Sequence, residues 1–253
     1  MTSCKKLKCL PSRLEMSSLE MLILTSCESL ERFPELSPCM VKLSHIDLSS
    51  CNELLEDEEN ERYLDKMLKQ SFLKKYAAVD SCFSICVPRS MIPSWFKEKR
   101  HGCTIALKLH PQWQTEIMGF AICGVFRSRR VYYEPTMELR FENYRMHAPM
   151  PQFDYINTSS GTHYEKLWIA YVPFSLFEQL NDDDKRWSHI IEGNLVISLS
   201  CSHSQSATTR CGAQAVYKEK TDSVQQIEPS IPYWKWKLSQ RYQNIRISLD
   251  YNV

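Results

Sequence analysis

Apolar residues in the first part of the chain recur in spaced blocks rather than in one run. "LEMLILTSCESL" (19–30) and "LSHIDLSSCNEL" (43–54) share the spacing L-x-x-L-x-L-x-x-C-x-x-L, with Ile46 in one leucine position. Cys4, Cys27 and Cys51 lie 23 and 24 residues apart, and Leu7, Leu30 and Leu54 follow at the same intervals. Alternation in Leu22-Ile23-Leu24 and Ile46-Asp47-Leu48 predicts short strands whose outer residues enter a core. The intervening Ile23, Thr25, His45 and Asp47 then face the concave side of stacked coils. Counted back from Cys4, Met1 falls on the last leucine-type position of a strand, so the reading expects the chain to start within a repeat.

After Leu55 the period changes. Leu64, Met67, Leu68 and Phe72 fall at i, i+3, i+4 and i+8, one face of a helix. Acids crowd its start (Glu56, Asp57, Glu58, Glu59) and lysines its end (Lys69, Lys74, Lys75), which complements a helix dipole. The expectation is a capping or linker helix over 56–80.

From residue 81 the pattern becomes one of short β-prone runs separated by polar or proline-bearing loops. Candidate strands are 83–87, 103–109, 117–126, 136–142, 166–172, 190–201, 209–217 and 243–250. "GCTIALKL" alternates strictly, whereas "MGFAICGVF" is almost wholly apolar, as a strand buried on both faces should be. Many strands with few helices between them predict an antiparallel sandwich. The domain organisation expected is repeats over 1–55, the helix over 56–80, a sandwich over 81–220, and a tail over 221–253 carrying an additional edge strand.

Composition narrows the function classes. Of 253 residues, 43% are hydrophobic, enough for a sizeable core. Lys and Arg (31) balance Asp and Glu (30), so bulk charge supplies no argument for nucleic acid or an anionic membrane. No apolar run approaches a bilayer span, and "MTSCKKLKCLP" lacks a signal-peptide core. Several of the 11 cysteines sit inside apolar runs, which favours a reducing compartment, the cytosol or nucleus.

"FSICVPRSMIPSWFKEKRHGCTIALKLHPQWQTEIMGFAICGVF" carries a resemblance. Pro88, Ile92-Pro93, Trp95-Phe96, Gly102, Pro111, Trp113 and Gly119-Phe120-Ala121 occur in an order that resembles the C-terminal domain of plant TIR-NBS-LRR disease-resistance receptors. "EKLWIAYVP" (165–173) and "TRCGAQAVYKE" (209–219) are similar to it as well, and the repeats with Cys in the turn are leucine-rich repeats of the same style. The resemblance implies a mainly β fold: an antiparallel jelly-roll/Ig-like sandwich preceded by a short leucine-rich-repeat segment and a capping helix. Arg89 stands where the family turn has Gly, and Met91 where it has an acid. An Arg forced to φ > 0 at that turn would be strained.

Catalytic chemistry is hard to assemble from these residues. G-x-x-x-x-G-K-[ST], G-x-G-x-x-G and G-x-S-x-G do not occur. Cys201, His203 and Cys211 match no zinc spacing. Asp182-Asp183-Asp184 lacks the Gly and Glu of a calcium loop. No catalytic residue, cofactor or metal ligand is therefore assigned. "RSRR" (127–130) followed by Tyr132 and Tyr133 reads as a hairpin loop rich in residue types common at binding hot spots. The resemblance implies a recognition module that binds a protein ligand, a pathogen effector or a host receptor chain. The candidate contacts are Ile23, Thr25, His45, Asp47, Arg127, Arg129, Arg130, Tyr132 and Tyr133. The alternative is a carbohydrate- or small-ligand-binding β-sandwich, which requires an aromatic-lined pocket.

Overall fold

The computed structural model describes residues 4–24, 27–72, 81–111, 113–128, 135–141, 144–148, 164–175, 193–201 and 206–218. In the repeat segment, strands β1 (Arg13–Leu14), β2 (Met21–Ile23), β3 (Glu35–Leu36) and β4 (His45–Asp47) form two parallel pairs, β1 with β3 and β2 with β4. The sequence period reappears in the hydrogen bonds. Cys27 N–H donates to Leu24 O at 3.2 Å, and Cys51 N–H donates to Leu48 O at 2.9 Å, closing the same turn in successive repeats. Both cysteines are fully buried, and Cys51 Sγ donates to Leu24 O at 3.3 Å. Each thus fills the inside of a turn and helps satisfy a buried carbonyl.

A 3-10 turn (Glu53–Leu55) leads to helix α1 (Glu58–Lys66), which continues as a π-helical segment, Met67–Phe72. Asp57 caps α1 by accepting from Glu59 N–H at 2.8 Å. Leu64, Met67 and Leu68 enter the core as their spacing predicts.

Strand β5 (Phe83–Val87) then lies parallel to β4, with Ile46 opposite Ile85. Leu48 N–H donates to Cys86 O at 2.8 Å just as Leu24 N–H donates to Asp47 O at 2.9 Å. In this register Cys82, Ile85 and Val87 occupy the places that Leu43, Ile46 and Leu48 hold one coil earlier. β5 therefore acts as the next strand of the repeat stack.

Its other edge is antiparallel and opens the second part of the fold. The remaining strands are β6 (Glu98–His101), β7 (Thr104–Leu109), β8 (Ile117–Ser128), β9 (Pro135–Phe141), β10 (Tyr144–Ala148), β11 (Tyr164–Pro173), β12 (Gly193–Cys201) and β13 (Ser206–Tyr217). A short helix, α2 (Trp113–Glu116), precedes β8. The larger sheet has seven strands in the order β2-β4-β5-β11-β8-β13-β6, and a second has four, β10-β9-β12-β7. The chain is mainly β. Seven of the eight runs expected as strands are strands, and 243–250 lies outside the described residues. β6 and β10 were not expected. β6 reads Glu-Lys-Arg-His, with no apolar residue to mark it.

Register places two rows across the larger sheet. Ile23, Asp47, Cys86, Trp168, Gly124, Cys211 and Arg100 share one face, while Leu22, Ile46, Ile85, Ile169, Cys123, Gly212 and Lys99 share the other. The second face belongs to a core formed with Leu64, Met67, Leu68 and Phe96. The first carries the smaller sheet, whose Leu199 side chain lies so close to Gly124 that a Cβ there would meet Cδ1 at 3.0 Å. Trp113 and Phe174 pack edge to face at 5.3 Å, and Trp113 is fully buried.

Two glycines are required by position. Gly102 (φ +90°) stands between β6 in one sheet and β7 in the other, where the chain turns the corner. At Gly119 a Cβ would sit 2.3 Å from Val172 O and 2.7 Å from the Tyr171 hydroxyl, which donates to Met118 O at 2.9 Å.

Arg89, which the sequence leaves unexplained, joins two elements. Its Nη1 donates to Asp65 Oδ1 at 2.7 Å and its Nη2 lies 2.9 Å from Glu61 Oε1. The two acids are four residues apart on α1, so one guanidinium bridges successive turns.

Candidate functional site

Two groups of the expected contact residues are described, and they lie on different faces of the larger sheet. Ile23 is on the outermost strand, β2, and is half-buried. His45 and Asp47 share its face but belong to the inner strand β4, and only 3% and 2% of their surface is accessible. The face they occupy continues into the buried Cys86 and Trp168.

His45 Nδ1 and Ser84 Oγ are hydrogen-bonded at 2.8 Å across the β4–β5 pairing. Burial disfavours the imidazolium and pulls the His45 pKa down to about 4, although the Ser84 hydrogen bond acts in the opposite sense. Asp47 Oδ1 accepts from Ser49 N–H at 2.8 Å. Burial pushes the Asp47 carboxyl above its usual range, opposed by the Ser49 hydrogen bonds and by the positive charge of Lys166. In the described structure these two side chains hold the junction between repeat strand and following strand.

Arg127 is on the opposite face, near the end of β8, with 61% of its side chain exposed. Its Nη2 lies 2.9 Å from Glu165 Oε1, while Arg210 Nη2 lies 2.7 Å from Glu165 Oε2. One carboxylate on β11 thus ties together two arginines on β8 and β13. Arg210 Nη1 also reaches Met91 Sδ at 3.9 Å, and Met91 is 60% exposed. The cluster presents two cations, one acid and an apolar side chain to solvent, a composition suited to a protein partner. Thr25, Arg129, Arg130, Tyr132 and Tyr133 lie outside the described residues.

A cleft of about 530 Å³ opens between the repeat turns and the start of α1. Lys8, Glu31, Arg32, Glu53, Asp57 and Asn60 line it, with no aromatic wall of the kind a sugar site needs. Among the described residues no group of three or more His, Cys, Asp or Glu converges as metal ligands. Of the residues weighed for zinc, Cys211 is buried in the sheet and His203 lies outside the described residues. No helix among the described residues is long and apolar enough to cross a membrane.

Residues 87–222, more than half of the chain, match the C-JID domain family. The chain belongs to the C-JID family. The match begins at the last residue of β5, the strand that also continues the repeat stack. Disease resistance protein RPS4 of Arabidopsis thaliana is 27% identical over 157 residues, covering 47% of this chain and 13% of the relative. A second protein of that organism, Inactive disease resistance protein RPS4, matches with the same values. The chain therefore spans about 13% of the length of the curated relatives it matches. The resemblance to the C-terminal part of plant TIR-NBS-LRR receptors rests on both comparisons.

Sequence reasoning passed over two features of this C-JID chain: the Arg89 bridge and the charged strand β6. The signal for β6 was present in "FKEKRHG", a charged run between a buried aromatic and a corner glycine.

Proposed function

We propose that this C-JID chain is the ligand-recognition module of a plant intracellular immune receptor, acting in the cytosol or nucleus. In this reading the repeat segment is the end of a leucine-rich-repeat solenoid, and the two-sheet part is a jelly-roll/Ig-like sandwich. The module binds a pathogen effector or a host protein by surface complementarity, with no bond-making step. The observation that carries the reading is the single seven-stranded sheet, in which β2 and β4 run on into β5 and then into β11 and β8. A shared sheet and a shared core join β2 and β4 to the later strands, which supports a preorganised surface for a partner touching both. The disease-resistance names of the relatives support the same reading.

Contacts are assigned to Ile23 on β2 and Arg127 near the end of β8, and on sequence grounds to Thr25, Arg129, Arg130, Tyr132 and Tyr133. His45 and Asp47 are buried on the face that Ile23 shares and support Ile23 from the neighbouring strand β4. The test is cross-linking of the tagged chain to its partner in plant tissue, followed by affinity measurement with the purified partner. Arg127→Ala with Tyr132→Ala should weaken binding by about tenfold or more without changing Tm. Unchanged affinity would overturn the surface assignment, and failure to recover any protein partner would overturn the recognition reading.

A further inference from the structure

We infer that the edge of strand β6 turned away from β13, which no described strand covers, docks an extended acidic peptide that adds to the larger sheet. This deepens the reading above, on which it rests for the premise that the chain binds proteins.

β6 is the last strand of the seven, and among the described residues it pairs with β13 alone. Every residue of Glu98–His101 is exposed, as are Lys97 before it and Gly102 and Cys103 after it. In an antiparallel pair alternate residues turn their N–H and C=O away from the partner, so an edge strand offers a row of unused donors and acceptors. A peptide strand satisfies that row; a nucleic acid cannot, having no alternating N–H and C=O groups at strand spacing.

The side chains supply the charge preference. Both rows across the sheet end on cations at this edge, one on Arg100 and the other on Lys99. Lys97, Lys99, Arg100 and His101 have no ion pair among the described residues, and Glu98 is the one acid in the run. Elsewhere the cations Lys8, Arg89, Arg127 and Arg210 are paired within the chain. Charge on an edge strand discourages sheet-to-sheet aggregation, and here it works against a second copy of this chain, which would bring Lys99 close to Lys99 or Arg100 of its counterpart. It favours a strand carrying Asp or Glu on one face, whose side chains reach either Arg100 or the pair Lys99 and His101.

The probe is a fluorescein-labelled peptide of about ten residues alternating Glu and Val, titrated into the whole chain and followed by anisotropy. Saturable binding is expected, at least about tenfold tighter than for the matching Lys/Val peptide and weaker as salt rises. Lys99→Glu with Arg100→Glu should weaken it by about tenfold or more at unchanged Tm. If that pair compromises folding, Lys99→Gln with Arg100→Gln provides the same comparison with a smaller loss. A peptide N-methylated at every amide should not bind, and hydrogen exchange at β6 amides should slow when the unmodified peptide is present. Equal binding by the N-methylated peptide or by the charge-altered chain overturns the proposal. So does absence of binding, or tighter binding of a single-stranded oligonucleotide of equal charge. The titration reads β6 alone, so its failure leaves the Arg127 surface and its own test standing.

Discussion

The guanidinium of Arg89 holds the carboxylate of Asp65 at 2.7 Å, binding the turn after β5 to helix α1. Only 13% of the Arg89 side chain is accessible, so water competes little for the contact. Arg89→Ala should cost about 1.5–3 kcal/mol in chemical denaturation, because two carboxylates lose a charged donor. Arg89→Gly, which restores the residue found in the resembled turn, should cost a similar amount. A Gly variant as stable as the parent would mean that backbone freedom, not the ion pairs, decides this position.

Phe96 is buried in the core shared by the first strands and the later ones, and the half-buried Trp95 stacks on it with ring centroids 4.1 Å apart. Phe96→Ala should therefore destabilise by about 3–5 kcal/mol. Trp95→Ala should cost less, roughly 1–3 kcal/mol, since a ring that stays partly in water loses less burial. Thermal or urea unfolding of the two variants gives the order directly; the reverse order would place the main plug at Trp95.

Two glycine replacements separate space from backbone conformation. At Gly119 the obstacle is the Val172 carbonyl oxygen, a backbone atom that cannot swing aside. Gly119→Ala should cost about 3 kcal/mol. At Gly102 nothing lies within 4 Å of an added Cβ, and only the φ of +90° resists substitution. Gly102→Ala should cost about 1–2 kcal/mol. Equal losses in urea melts would count against this distinction.

His45 makes stability depend on pH. Its folded pKa of about 4 lies below the ordinary 6.5, so the unfolded chain takes up a proton that the folded chain refuses. The contribution is fully present above pH 6.5 and is lost as pH falls toward 4, at about 1.4 kcal/mol per unit and about 3 kcal/mol in all. Asp47 acts in the opposite sense, since its raised folded pKa favours the fold at low pH and is a cost as pH rises. His45→Gln cannot titrate. Urea melts of parent and variant should therefore diverge between pH 6.5 and 4, with the parent losing more. Parallel pH profiles would show that His45 is not held neutral.

Much of the fold was legible because its signals are local. The L-x-x-L-x-L-x-x-C-x-x-L spacing reports a coil that repeats its own hydrogen bonds, and "TIALKL" reports one covered face by alternation. The candidate site was less legible. His45 and Asp47 carry the pattern of surface positions, yet the face on which they stand is buried where β5 and β11 extend the sheet. β6 was silent because an exposed edge strand needs no apolar residue.

The sequence by itself determined the repeat period, the cysteines inside the turns, the amphipathic helix and most strand positions. Each depends on residues a few places apart, whose preferences act before any tertiary contact forms. Only the tertiary structure decided that β5 would pair with both β4 and β11, making one sheet of two patterns. It also decided that Arg89 would find Asp65, that His45 would meet Ser84 from 39 residues away, and that β6 would pair with β13 alone among the described residues. These outcomes are set by pairing between distant segments, where many registers satisfy the same alternation and packing of the whole core selects one.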